Sequence, residues 1–318
     1  MSDLTHGTWA LVGLGRIARA HLDAAKAWTP PLFGAAVEPV AANAAGFDHV
    51  WPSVEALLDD LTPRAAVVCT PPSTHRAVVG ALLDAGVHVL VEKPLAATSK
   101  DAWALIGRAR ERGLALRTAA KFLQMASIER ARQLIADGAI GTLLRVENTF
   151  AGVLDPSKDW HGDPSISGGG VLMDNGPHSI NVVTALAGPA EAVRVLSSER
   201  RQGTAVEDAI TLELWCGSVT GHVVLTWNEG IAAPITRAVG TDGTLVLGWK
   251  GQHIERGDVV EPFTVDGASG YDKAACFEGV LRSFEAALAA PSADEDGARV
   301  LQVIEAAYRS DGAWEAVS

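Results

Sequence analysis

The chain has 318 residues, of which 48% are hydrophobic and 20% charged, and carries a formal net charge of −12. That length suits two domains of ordinary size, and that composition describes a folded, soluble globular protein rather than a disordered one. The acidic balance excludes a sequence-independent grip on nucleic acid or on an anionic membrane, since both need a basic surface.

Cys69, Cys216 and Cys276 are far apart, odd in number and without CxxC spacing, so neither a disulfide framework nor a zinc site is expected, and a reducing cytoplasm fits. The opening Met1-Ser2-Asp3-Leu4-Thr5-His6 lacks the basic and apolar regions of a signal peptide, and no apolar run reaches the length of a membrane span. There is no internal repeat and no low-complexity tract.

The chain begins its pattern with the apolar run Trp9-Ala10-Leu11-Val12, which breaks at Gly13-Leu14-Gly15-Arg16-Ile17-Ala18 and continues as a helix through Ala27. Strand, tight turn and helix with glycines at 13 and 15 and a small residue at 18 form the G-x-G-x-x-G/A fingerprint. Its first glycine permits the turn, its second lets a pyrophosphate approach the backbone, and the third small residue lets helix pack on strand. Gly13, Gly15, Arg16, Ile17 and Ala18 are therefore candidate cofactor contacts, with the phosphates at the helix N-terminus. A second strand, Phe33 to Val37, ends at Glu38, close to where an acid meets the adenosine ribose hydroxyls. Pro39 and Val40 follow instead of Arg or Lys, so nothing adjacent offers to bind a ribose phosphate. NAD is expected rather than NADP.

Alternation continues with a helix at Ser53–Leu61, strand at Ala65–Cys69, helix at Thr74–Ala85 and strand at Val87–Val91. A helix at Ser99–Arg112 and a strand at Leu114–Thr118 follow. Continuous apolar strands separated by helices predict a parallel sheet covered on both faces, with ligand at the carboxyl ends of the strands. Two polar clusters fall there: Thr70-Pro71-Pro72-Ser73-Thr74-His75 and Glu92-Lys93-Pro94. Thr70, Pro71, His75, Glu92 and Lys93 join the candidate cofactor contacts. Thr74 also reads as a helix cap and His75 as an ordinary first-turn residue. Lys93 is expected where the nicotinamide lies.

After Thr118 the character changes, and the predicted domains are 1–120 and 121–318. Lys121 and Gln124 leave the last parallel strand, a helix follows at Ser127–Asp137, and the rest is mostly strands: Leu144–Phe150, Ala192–Arg200, Ala209–Cys216, Val219–Trp227, Arg237–Gly240, Thr244–Trp249 and Val259–Val265. Ile210, Leu212 and Leu214 alternate with Thr211, Glu213 and Trp215, the period of an antiparallel sheet with two unlike faces. Trp215, Trp227 and Trp249 suit either an interface with a second subunit or packing under the domain's own helices. The loop Asp155–Pro164 contains Trp160 and His161, a stacking surface and a polar group of the kind a sugar uses. A metal site is not expected, because His161, Asp163, Asp174 and His178 lack a ligand spacing.

From Gly168 to Asn181 the chain reads Gly168-Gly169-Gly170-Val171-Leu172-Met173-Asp174-Asn175-Gly176-Pro177-His178-Ser179-Ile180-Asn181. On a helix, Asp174 and His178 share a face, and a carboxylate beside an imidazole is a proton-transfer pair as well as a common surface pair. Gly176-Pro177 between them predicts either a helix that restarts at Pro177 or one that kinks there.

Gly13-x-Gly15-x-x-Ala18, Glu92-Lys93-Pro94, Gly168-Gly169-Gly170 and Asp174-x-x-x-His178, in that order, resemble the Gfo/Idh/MocA family of NAD(P)-dependent oxidoreductases. The likeness spans nearly the whole chain, including the closing helix from Asp296-Gly297-Ala298 to Ser310. The resemblance implies an N-terminal Rossmann domain and an α+β C-terminal domain with a large open, mainly antiparallel sheet. It assigns Lys93, Asp174 and His178 as catalytic, with a Lys-Pro peptide that is often cis in the family. Lys121, Gln124, Trp160, His161 and Asn175 join those three as candidate substrate contacts. The implied reaction moves a hydride between nicotinamide and a secondary alcohol or ketone of a sugar, sugar derivative or cyclitol. A redox-neutral, NAD-dependent glycosidase is the alternative on this fold, and a non-catalytic sensor of nucleotide or sugar is a third reading. A homodimer or homotetramer through the C-terminal sheet is expected.

Overall fold

Four buried apolar residues form strand β1 (Trp9–Val12), and the chain winds from there through α1 (Arg16–Ala25), β2 (Phe33–Val37), β3 (Val50–Trp51), α2 (Val54–Asp60) and β4 (Ala65–Val68). It continues through α3 (Pro72–Asp84), β5 (His88–Val91), α4 (Ser99–Glu111) and β6 (Leu116–Thr118). The six strands lie in the order β3-β2-β1-β4-β5-β6, all parallel. Helix α3 starts at Pro72 and not at Thr74, since the fixed φ of proline suits a first turn. The register aligns the last residues of four strands: Val37, Val12, Val68 and Val91 stand side by side on successive strands. The residues just beyond them, Glu38, Gly13, Cys69 and Glu92, therefore share one edge of the sheet. Strand order reverses between β1 and β4 at that edge, the switch point where such sheets bind ligand.

The computed structural model describes residues 8–44, 46–158, 160–230, 235–248, 251–263, 265 and 271–318. Its chain divides into two units, Met1–Ala119 with Lys273–Ala298, and Ala120–Asp272 with Arg299–Ser318.

The second unit contains α5 (Ala126–Ala136), β7 (Leu143–Ala151), the short α6 (Pro164–Ser167), α7 (Val171–Ala187), β8 (Ala192–Glu199), β9 (Ala209–Cys216) and β10 (Val219–Thr226). β11 (Ile235–Gly240), β12 (Thr244–Gly248), β13 (Gly251–Arg256) and β14 (Val259–Phe263) follow. With the terminal β15 (Glu315–Ala316) they form a nine-stranded sheet, β14-β13-β12-β11-β7-β10-β9-β8-β15. Only β7 and β10 pair in parallel. Strands β13 and β15 are additional to those expected, and Trp249 lies outside the described residues. Trp227 is 2% exposed and packs inside, whereas Trp215 is 46% exposed.

One segment departs from the expected division at 120/121. After β14 the chain forms α8 (Lys273–Ala287), which belongs to the first unit together with the start of α9 (Asp296–Arg309). The cause is apolar packing. Phe277, Val280, Leu281 and Phe284 of α8 share a buried cluster with Trp9, Leu11, Ala18 and Phe33, and Phe284 meets the Trp9 ring edge-on at 5.2 Å. The segment's own periodicity predicts a helix but not which sheet it covers.

Candidate active site

The glycine turn has the shape a dinucleotide needs. Gly13 has φ +84°, and a Cβ there would stand 3.0 Å from Thr70 Cγ2 and 3.1 Å from the Cys69 carbonyl carbon. Its N–H donates to Val37 O at 2.8 Å, tying the turn to β2. A Cβ at Gly15 would meet nothing within 4 Å, so the backbone is open to a ligand there. Gly15 caps α1, no side chain occupies that cap, and the first turn has no acidic residue. An anion at this helix start meets free N–H groups and the positive end of the dipole.

Glu38 is 9% exposed and already organised. Its Oε2 accepts from the Leu14 N–H at 2.8 Å, inside the glycine turn, and its Oε1 accepts from Val40 N–H at 3.0 Å and Asn43 Nδ2 at 3.4 Å. A buried carboxylate held against this turn fits a ribose hydroxyl and opposes a ribose phosphate. The open backbone at Gly15, the free start of α1 and Glu38 suit a nicotinamide dinucleotide, whereas Ala18 is 0% exposed and packs α1 into the core, which removes it from the residues a cofactor could touch.

Glu92-Lys93-Pro94 leaves β5 at the same edge, and the Lys93–Pro94 peptide is cis. Two fully buried histidines bracket the tripeptide. His21 on α1 places Nε2 2.8 Å from Glu92 Oε1 and stacks edge-on against Phe277 at 4.8 Å, and Glu92 Oε2 accepts from the Lys93 N–H at 3.3 Å. His75 lies between two backbone carbonyls, Nδ1 at 2.8 Å from Pro94 O and Nε2 at 2.9 Å from Thr70 O. Burial pulls its pKa below the ordinary value, against the opposite pull of both carbonyls and Glu92. A neutral ring donates to only one carbonyl. His75 thus ties the Thr70 loop to the Lys93-Pro94 turn, and its 0% exposure removes it from the residues a cofactor could touch. Thr74 Oγ1 donates to Pro71 O at 2.8 Å and lies 2.7 Å from Thr70 Oγ1, whose hydroxyl is free to donate to it.

In the second unit, α7 runs unbroken through Pro177, so the helix does not restart there. The bond that Pro177 cannot donate is outweighed by burial, since twelve of the seventeen residues of α7 are buried, most of them apolar. Asp174 and His178 therefore stand one helical turn apart. His178 is 6% exposed, and Phe122 meets its ring edge-on at 4.9 Å while Phe150 lies at 6.2 Å. Lys121 Nζ lies 5.1 Å above the Phe122 ring, which joins a cation to the histidine's surroundings. Asp174 and Asn175 are half-buried, and Gln124 is exposed on the short 3₁₀ turn Lys121–Gln124. Trp160 stacks one indole face on His161 at 4.0 Å, and His161 meets Trp227 edge-on at 6.1 Å. Asp159 in that loop lies outside the described residues.

The glycine run before α7 has a cause that sequence reasoning missed. A Cβ on Gly169 would fall 2.1 Å from Tyr308 Oη, and one on Gly170 would fall 1.9 Å from Glu207 O. The buried Glu207 carboxylate accepts from Gly170 N–H at 3.2 Å, Leu172 N–H at 3.0 Å and the Tyr308 hydroxyl at 2.9 Å, while its backbone carbonyl accepts from Val171 N–H at 2.9 Å. The available signal was Glu207-Asp208 ahead of an alternating strand, which has no local feature to distinguish it from a turn.

Among the described residues no group of three or more His, Cys, Asp or Glu stands where it could hold a metal ion. Comparison with known proteins adds to this geometry. Residues 8–120 match the oxidoreductase family with an NAD-binding Rossmann fold, and residues 128–246 match the GFO/IDH/MocA C-terminal domain. The chain is 30% identical to 1,5-anhydro-D-fructose reductase of Ensifer adhaerens, covering 96% of this chain and 97% of that protein. It is 36% identical to dTDP-3,4-didehydro-2,6-dideoxy-alpha-D-glucose 3-reductase of Streptomyces antibioticus over 58% of this chain, and spans about half, 52%, of that relative's length. A solved levoglucosan dehydrogenase in complex with NADH shares the fold with a TM-score of 0.87 at 22% identity, covering 98% of this chain and 99% of that one. With a glycine turn shaped for a dinucleotide, an E-K-P turn at the same sheet edge and an acid–imidazole pair on α7, the chain belongs to the Gfo/Idh/MocA family of NAD-binding oxidoreductases.

Proposed function

We propose that this oxidoreductase interconverts a secondary alcohol and a ketone on a sugar, sugar derivative or cyclitol, and prefers NAD to NADP. The bound nicotinamide supplies the hydride acceptor or donor. His178 takes the hydroxyl proton as the C–H bond breaks, and returns it in the reverse direction. Asp174, one turn earlier, orients the imidazole and compensates its positive charge. Lys93 holds the hydroxyl and stabilises the negative charge that develops on oxygen. Lys121, Gln124, Trp160, His161 and Asn175 supply donors, acceptors and one open indole face to the substrate.

The observation that carries this reading is the pairing of Asp174 and His178 on one turn of α7, with the imidazole enclosed by Phe122 and Phe150. The relatives named above act on sugars, which supports the substrate class. The test is a screen of sugars and cyclitols for nicotinamide absorbance change with NAD and with NADP, followed by His178→Ala. Turnover should fall by roughly 10²- to 10⁴-fold, the usual cost of losing a general acid–base group. A folded His178→Ala protein with near-wild-type turnover rejects the proposed role.

We also infer that the exposed face of the nine-stranded sheet joins two or four copies of the chain. Trp215, Trp314 and Leu196 are 46%, 41% and 48% exposed, and aromatic residues favour interface cores. Light scattering tests this, with a monomer as the refuting result. Cys69, Cys216 and Cys276 are buried and joined in no disulfide, which suits the reducing cytoplasm.

A further inference from the structure

Helix α7 begins without an ordinary side-chain cap: Gly170 occupies the cap position and offers no side chain. The first N–H groups of a helix have no partner within it, and left buried they are costly. Here Glu207 accepts from three in succession. Its carboxylate takes those of Gly170 and Leu172, and its carbonyl takes that of Val171. Tyr308, arriving on α9, donates its hydroxyl to the same carboxylate and fixes its direction. Gly169 and Gly170 are the space that admits these two residues, because a Cβ on either would overlap them.

We propose that Glu207, oriented by Tyr308, is a positioning residue for the acid–base pair, setting the rotation and axial placement of α7 and hence where Asp174 and His178 stand. Asp174 lies two residues beyond the last N–H that Glu207 accepts, and His178 one further turn along. A helix held at three consecutive N–H groups cannot turn about its axis or slide without breaking them. A serine or aspartate cap, by contrast, bonds one N–H or two and tolerates small rotations. The bonds described here fall on the first N–H groups of α7, so the effect of Glu207 and Tyr308 reaches the pair through the helix. The inference rests on the catalytic roles proposed above.

The test uses the full chain with Glu207→Gln, which keeps the shape and replaces one acceptor oxygen by a donor, and Tyr308→Phe, which removes only the hydroxyl. Two readouts are taken. In protein labelled with ¹⁵N-histidine, the His178 ring signals, assigned by their absence in His178→Ala, should shift in both variants relative to wild type. With the sugar found in the screen, kcat should fall about 10- to 100-fold in Glu207→Gln, the scale expected for misplacing a catalytic group by about 1 Å. The fall in Tyr308→Phe should be smaller, and the Kd for NAD should stay within a factor of about two in each, since the glycine turn belongs to the other unit. Unmoved His178 signals in folded variants overturn the proposal, as does a fall in melting temperature with kcat unchanged. If Glu207→Gln does not fold, Tyr308→Phe decides by the same criteria. If no sugar is turned over by the wild-type protein, the functional reading fails, while the histidine signals still decide whether Glu207 positions the pair.

Discussion

Glu38→Gln tests the reading of the nucleotide turn, because the carboxylate's hydrogen bonds can be counted. A carboxylate has room for about four hydrogen bonds, and Glu38 already accepts three, from Leu14 N–H, Val40 N–H and Asn43. One place remains, so the side chain can accept from one ribose hydroxyl. A bond to a charged group contributes about 1.5–3 kcal/mol, and each 1.4 kcal/mol is tenfold in affinity, so NAD should bind about 10- to 150-fold more weakly to the variant. Glutamine also sets an amide N–H₂ against either Leu14 N–H or Val40 N–H, loosening a turn whose middle residue is Leu14. NADP should lose less, because the same change removes the charge that opposes its phosphate, and the NAD-to-NADP affinity ratio should narrow. Calorimetric titration of both nucleotides measures this directly. An NAD affinity within twofold of wild type, or equal losses for the two nucleotides, refutes the reasoning.

Two further predictions concern stability. Phe284→Ala should destabilise the first unit by about 3–5 kcal/mol in urea unfolding, as for other buried phenylalanines, and a loss under 1 kcal/mol contradicts the placement of α8 in that core. Asp294 has its pKa raised to about 6, chiefly by burial and against the pull of Arg117, so the folded state holds this proton more tightly than the unfolded chain does between about pH 4 and 6. Its contribution is most favourable below the unfolded value and is lost as pH rises through 6. Asp294→Asn should therefore gain on wild type between pH 5 and 7.5, by at most about 1.5 kcal/mol and less because a quarter of the side chain remains exposed. A stability difference that does not change with pH excludes this account.

What could be read in advance was what neighbouring residues decide. The strand–glycine–helix order around Gly13, the apolar runs of β4 and β5 and the alternation along β9 are periodic over a few positions, and each appears in the structure. That Asp174 and His178 stand one turn apart was legible because four residues make about one helical turn. The features that escaped depend on contacts across long stretches of chain. His75 resembled a ligand contact until the Pro94 carbonyl, nineteen residues later, was seen to occupy its Nδ1. Gly168-Gly169-Gly170 gave no hint of Tyr308, more than a hundred residues on. Gly176-Pro177 argues locally against a helix, and the burial of α7 overrides it.

The return of residues 273–298 to the first unit makes the architecture nested instead of serial. Residues 120–272 form an insertion within the nucleotide-binding unit, and the last twenty residues then go back to the inserted one. A fragment cut at residue 120 would expose Trp9, Leu11 and Phe33 where α8 should lie, with the aggregation such an apolar patch invites. Grafting this nucleotide module onto another protein therefore requires two segments of chain, joined where the insertion now departs and returns. Mutations in α8 belong with the nucleotide-binding unit, even though they lie far towards the end of the sequence.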